Sequence, residues 1–220
     1  AQNILFELGE VQQDKRAGRR KILLGINYTY RYVLSISIEL PATCITLCDL
    51  RGEHGCTRRI PTDTAVPPEI FLKQVANVGK ALLWENSVGR EQLLGAGVSV
   101  PGPVEREAGV STHAYRIWSE PVQVASLLAQ ALECTVLLEN NVKAFARAEL
   151  TYGLGRTQEN LLLLKWGPGV GSAIIAQGRI YESRMYKSAE IGHVRVEKDG
   201  RLCRCGRHGC LETRVASHPI

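Results

Sequence analysis

The sequence predicts an α/β fold. Short runs rich in β-branched and aromatic residues alternate with amphipathic stretches of helical period, and proline or glycine marks several of the boundaries. With 45% hydrophobic and 22% charged residues, the chain has the balance of a folded globular protein rather than a disordered one. Its 220 residues suffice for one large domain or two small ones. No repeat of fixed period and no low-complexity tract interrupts this pattern.

Residues 1–21 are polar and end in the basic run DKRAGRRK (14–21). From residue 22 onward, ILLGIN, YVLSISIEL and CITLCDL read as short strands. YTYR (28–31) joins the first two tightly, so three sequential strands predict an antiparallel start to a sheet. PPEIFLKQVANVGKALLWEN (67–86) reads as a helix. Proline opens it, and Ile70, Phe71, Val75, Val78, Ala81 and Leu82 form its expected buried face. LLGAGVSV (93–100) is a buried strand broken by PGPV. VASLLAQALE comes next as a helix, TVLLEN as a strand, and NVKAFARAELTYG as a helix ending at Gly153. LLLLKWG is a further strand, and PGVGSAIIAQGRI is a turn leading into the next.

The net charge of +5 has much of its excess in 14–21 and in RLCRCGRHGC (201–210), which permits nucleic-acid contact without demanding it. No apolar run reaches the roughly 18 residues needed to span a bilayer. AQNILFELGE at the start has acids and no basic n-region, unlike a signal peptide. A cytoplasmic protein without a membrane partner is expected. Of seven cysteines, Cys44, Cys48, Cys56 and Cys134 are scattered and read as buried free thiols, and a disulfide framework is not expected.

The other three form a cluster. CRCGRHGC (203–210) places Cys203, Cys205 and Cys210 in a C-x-C-x4-C loop that Gly206 and Gly209 allow to fold back on itself. Zinc takes four ligands in a tetrahedron. His193, across VRVEKDGR (read as a strand and turn), and His208, inside the loop, are the available fourth ligands. His193 is favoured because the neighbours of His208 already direct the chain around the metal. The competing reading is three reduced thiols without metal, an oxidation hazard if they are exposed. A closed Cys3His site is structural and would clamp residues 193–212.

Polar groups flank that clamp. Glu190 stands just before His193 and Glu212 just after Cys210; carboxylates beside a cleft accept hydrogen bonds from sugar hydroxyls. Glu139, Asn140 and Asn141 lie where a strand gives way to a helix, the place where open α/β sheets bind ligands. Helix capping by asparagine accounts for the last group equally well, and surface exposure for each glutamate taken singly.

VSVPGPVEREAG (98–109), LENNVKAFARAELTYGLGR (138–156), WGPGVGSAIIAQGRIY (166–181) and AEIGHVRVEKDGRLCRCGRHGCLET (189–213) resemble, in order, the motifs of the ROK family of repressors, open reading frames and sugar kinases. The likeness runs from about residue 22 to the end and is most specific in the EIGH and CxCGxxGCLE signature. It implies the actin-like ATPase, ribonuclease H-like fold. Residues 22–140 would form the first lobe, and 141–220 the start of the second with its zinc loop. It implies a sugar site of Gly102, Asn140, Asn141, Glu190, His193 and Glu212. It also implies zinc on His193, Cys203, Cys205 and Cys210, with the histidine both binding metal and facing sugar.

Two departures from the family's kinases bear on activity. Kinases carry a phosphate loop like D-x-G-x-T at the first hairpin, and the matching place is read here as GINYTYR (25–31), with Asn27 for the aspartate and bulky residues for glycine. Kinases also carry E-N-D, whose aspartate takes the proton of the attacking hydroxyl; Asn141 stands there, and an amide cannot accept that proton. No catalytic residue is therefore expected, nor ATP and magnesium. Gly167, Gly169 and Gly171 would be a vestigial phosphate loop. Residues 1–21 resemble the wing and linker of a winged-helix DNA-binding domain, whose remainder would precede this stretch, and the helices completing the second lobe would come after it. The expectation is the effector domain of a sugar-responsive regulator, a repressor by resemblance and a homo-oligomer that contacts DNA through its winged helix. The alternatives are an ATP-dependent hexose or N-acyl-hexosamine kinase, with Glu139 or water as substitute base, and a module whose cleft is vestigial.

Overall fold

The computed structural model describes residues 4–10, 22–53, 55–182 and 189–217. The basic run at 14–21 lies outside the described residues. The chain begins with β1 (Leu5–Glu10) and β2 (Ile22–Ile26), which pair antiparallel with Leu5 opposite Ile26 in a two-stranded ribbon. The run expected to open the main sheet is therefore a strand, but its partner is upstream. High β-propensity makes a strand and does not choose its neighbour. A 3-10 turn at Tyr28–Tyr30 separates the ribbon from the main sheet.

The main sheet starts with β3 (Tyr32–Ser37), continues through β4 (Ala42–Asp49) and β5 (Cys56–Pro61), and crosses by α1 (Pro68–Glu85) to β6 (Leu93–Val100). Short strands β7 (Val104–Glu105) and β8 (Val110–Ser111) form a hairpin, α2 (Val124–Leu132) crosses back, and β9 (Val136–Asn140) completes the sheet. Strand order is β5-β4-β3-β6-β9, antiparallel among the first three and parallel from β3 to β9. Parallel neighbours need crossovers, and the two helices supply them.

Alternation along β3 and β4 buries Leu34, Ile36, Ile45 and Leu47 under α1 and α2. The buried face of α1 is Phe71, Leu72, Val75, Ala76, Gly79 and Leu82, while Ile70 is half exposed and Ala81 exposed. Gly79 explains the rotation from the expected face. A Cβ there would sit 3.2 Å from Leu34 and 3.3 Å from Leu132, so the missing side chain brings the helix down onto β3 and α2. Cys44, Cys48, Cys56 and Cys134 are free but only partly buried: Cys44 and Cys48 alternate with the buried residues of β4, Cys56 opens the edge strand β5, and Cys134 lies in the bend between α2 and β9.

A second, smaller core comes next along the chain. The helix α3 (Asn141–Tyr152) starts directly from β9, and β10 (Leu161–Trp166), β11 (Val170–Ala176) and β12 (Arg179–Ile180) form an antiparallel sheet against it. Val142, Ala146, Ala173 and Ile175 form its buried centre. Residues 189–217 hold only a 3-10 turn (Ile191–His193) and α4 (Glu212–Val215) as helix. VRVEKDGR, read as a strand and turn, makes only an isolated bridge from Arg195 to Cys210. Among the described residues no helix is long and apolar enough to cross a membrane.

Phe71 is 1% exposed at the contact between α1 and the sheet. Phe71→Ala should cost about 3–5 kcal/mol through lost burial and the cavity left behind. Urea denaturation should show a lower midpoint with an unchanged slope; a midpoint equal to wild type would mean α1 is not held to the sheet here.

Candidate functional site

The β3–β4 hairpin, the β9–α3 junction, the β10–β11 turn and the 189–217 segment converge on one cleft of about 480 Å3. All six residues of the expected sugar site line it: Gly102, Asn140, Asn141, Glu190, His193 and Glu212. Gly169 and Gly171 also line it, while Gly167 sits behind, its carbonyl accepting from the Ser217 N–H. The expected polar group Glu139 is not on the wall. Its carboxylate takes Arg147 Nε at 2.7 Å and faces Arg106 at 3.6 Å, so a structural ion-pair cluster consumes it. That geometry gives no support to Glu139 as a substitute base.

The two asparagines do different work. Asn140 caps α3: its side-chain oxygen accepts from the N–H groups of Val142 and Lys143 at 2.9 and 3.1 Å. Its amide nitrogen donates to the Gly102 carbonyl at 2.8 Å. Gly102 has φ +88°, and a Cβ there would lie 2.2 Å from the His113 carbonyl oxygen, so glycine is required before any ligand is considered. The Asn141 amide instead donates to Glu39 Oε1 at 2.9 Å, and Lys165 pairs with the same oxygen.

Glu39 and Lys165 were not visible from sequence. Glu39 lies on the hairpin between β3 and β4, the first hairpin of the main sheet, and Glu39, Leu40 and Pro41 line the cleft. Residues 25–31, expected to hold the remnant phosphate loop, do not. They connect the β1–β2 ribbon to β3. At the hairpin that does line the cleft, Pro41 has no N–H to offer a ligand.

His193 is 6% exposed and Glu212 3%. The 3-10 turn carrying His193 is pressed onto β11, since a Cβ on Gly192 would lie 2.0 Å from the Val170 carbonyl oxygen. Glu212 Oε2 accepts the Val170 N–H at 3.1 Å. Arg204 Nε stands 3.3 Å from Glu212 Oε1 as an ion pair, although its N–H is not aligned for a hydrogen bond. On the opposite wall, the Tyr115 hydroxyl points at Glu190 at 3.4 Å and its ring lies 5.2 Å from that of His193. Burial, then the charge of Glu190, pushes the Tyr115 phenol well above its ordinary range, so it stays a donor.

The ligand atoms of His193, Cys203, Cys205 and Cys210 all lie within 4.8 Å of one another. His193 Nδ1 is 3.5 Å from Cys203 Sγ, and Cys205 Sγ is 3.6 Å from Cys210 Sγ. A tetrahedron with metal–sulfur bonds of about 2.3 Å and metal–nitrogen bonds of about 2.0 Å needs separations of about 3.5 and 3.8 Å. The set can hold a metal ion. Burial pushes the Cys203 and Cys210 thiols up, whereas Cys205, despite burial, is drawn down by hydrogen bonds from Arg207. Three thiolates together would need a cation. His208 is outside the set; its ring bonds the Gly200 carbonyl at 3.0 Å.

The ROK family profile matches residues 35–220. A glucokinase from Halalkalibacterium halodurans is 30% identical over 83% of this chain and 56% of its own length. The xylose repressor of Bacillus spizizenii is 24% identical over 96% of this chain and 54% of its own. In fold, a crystal structure of a ROK family transcriptional regulator, a homologue of the E. coli MLC protein, superposes with a TM-score of 0.79 at 22% identity, over 97% of this chain and 54% of that one. The chain thus spans about half the length of the curated relatives it matches. With the family profile covering the main sheet, the cleft and the metal-ligand cluster alike, the chain belongs to the ROK family.

Proposed function

We propose that this chain is the effector-binding part of a sugar-responsive transcriptional repressor, with zinc on His193, Cys203, Cys205 and Cys210 as a structural clamp. One observation carries the reading. Asn141, standing where the family's kinases are expected to hold their aspartate base, is an amide bonded to Glu39, and Glu39 is in turn paired with Lys165. An amide cannot take up a hydroxyl proton, and general-base help is worth typically 10²–10⁴-fold in rate. Leu40 and Pro41 line the same cleft, and Pro41 has no N–H where a phosphate would need backbone donors.

Coverage supports the same reading. The repressor relative matches 211 residues, leaving nine of 220 unmatched, so it extends well before residue 35, where the family profile begins. The glucokinase relative matches 185. The β1–β2 ribbon lies in that extra stretch and fits the wing of a winged helix that would contact DNA in a homo-oligomer. Sugar hydroxyls would bond Asn140, Glu190, His193 and Glu212 across the cleft. By binding one arrangement of the two cores better than another, the sugar would alter DNA affinity. A sugar kinase is the second reading, favoured by the 30% identity to a glucokinase and by Gly169 and Gly171 on the cleft wall. Sugar-dependent ATP turnover would establish it in place of the first.

Glu190→Ala should abolish the rise in melting temperature given by the cognate sugar while one equivalent of zinc remains bound. Wild type at a hundred times the dissociation constant should gain about 2.7 kcal/mol, and an unchanged gain in the variant would remove Glu190 from the site. Cys205→Ser, or a strong chelator, should release the metal and lower the melting temperature by many degrees. In small zinc domains the metal contributes roughly 10–16 kcal/mol of folding free energy. Metal analysis with a parallel melting curve decides this, and a chelated protein that melts like the untreated one would dismiss the clamp.

A further inference from the structure

Lys143 is the third residue of α3 and is 7% exposed, and it lines the cleft. Among the described residues no hydrogen bond or ion pair reaches its ammonium. Two effects disfavour this placement. The side chain is buried over most of its surface, so its unpartnered ammonium keeps only the contact with water that the cleft allows. A cation in the first turn also faces the positive end of the helix dipole, where α3 has no acidic residue. An anion in the cleft relieves both.

The carboxylates on the wall do not supply it. Glu39 is held by Lys165 and Asn141, Glu212 by the Val170 N–H and Arg204, and Glu190 faces Tyr115. We propose that the effector is an anionic sugar, carrying a phosphate or carboxylate group, and that Lys143 receives that group at the α3 end of the cleft. The inference rests on reading the cleft as a sugar site. It adds that a neutral sugar leaves the Lys143 ammonium in the cleft without a partner and binds more weakly.

Isothermal titration of the full-length, metal-loaded protein tests it. The probes are hexoses, pentoses and N-acetyl-hexosamines, their phosphates, the uronates, inorganic phosphate and Mg-ATP. One charged sugar should bind about tenfold or more tighter than its neutral parent, as a charge-assisted contact predicts. Lys143→Gln should reduce that affinity to the parent's and leave the parent's unchanged. Lys143→Met, which keeps the apolar stem, should do the same, and neither variant should melt below wild type. Equal affinity for charged and neutral forms in wild type overturns the proposal and leaves the sugar site standing. No binding of any sugar overturns both. Lys143-dependent binding of inorganic phosphate or Mg-ATP, without preference for a charged sugar, assigns the anion to a phosphate donor and overturns the sugar assignment.

Discussion

The convergence of His193, Cys203, Cys205 and Cys210 is the constraint on which the second half of the cleft depends. Residues 189–217 contain one 3-10 turn and one four-residue helix, so no backbone ladder fixes their path. Isolated bonds do part of the work: Val196 to Gly209, Leu211 to Val194, and Ser217 to Gly167 on the neighbouring sheet. Arg214 adds a bond to Glu197 at 2.8 Å. A turn with so few repeating bonds is cheap to deform unless its side chains meet at a point. Here they meet, and the residues that meet are neighbours of those that face the cleft. His193 belongs to both groups, and Glu212 lies two positions after Cys210, so movement of the cluster would move the cleft wall.

The first half of the cleft rests on a different device. Asn140 closes the start of α3 and ties it to Gly102, while Asn141, one residue later, reaches the β3–β4 hairpin through Glu39. Lys165 joins that carboxylate from β10. Residues far apart in sequence thereby connect the large core to the small one across the cleft itself. The pair is partly exposed, so its contribution to stability is modest. Its larger effect is to fix the position of the Asn141 amide on the cleft wall.

The mixed electrostatics of the cleft arise from this division. Carboxylates tied by donors give a wall that accepts hydroxyls through its free lone pairs, as Glu190 does beside Tyr115. At 141 the cleft presents an amide, and at 41 a proline without an N–H. Glucokinases and repressors both stand among the relatives.

The sequence by itself determined the α/β class, the order of α1 to α3 and of β2, β3, β4, β6, β9, β10 and β11, and the membership of the metal-ligand cluster. These depend on local pattern: alternation in the strands, helical period in α1 to α3, and a compact C-x-C-x4-C spacing after EIGH. The resemblance of its motifs to the ROK family also named six residues that come to line one cleft. Tertiary structure alone decided three things. It paired Ile22–Ile26 with Leu5–Glu10 instead of with the main sheet, since strand partners are chosen by non-local packing. It turned Glu139 outward to Arg147 and brought Glu39 and Lys165 in, since the reach of a side chain depends on which element faces it. And it moved the first hairpin from 25–31 to 39–41, because only the sheet order shows which strand is the first of five.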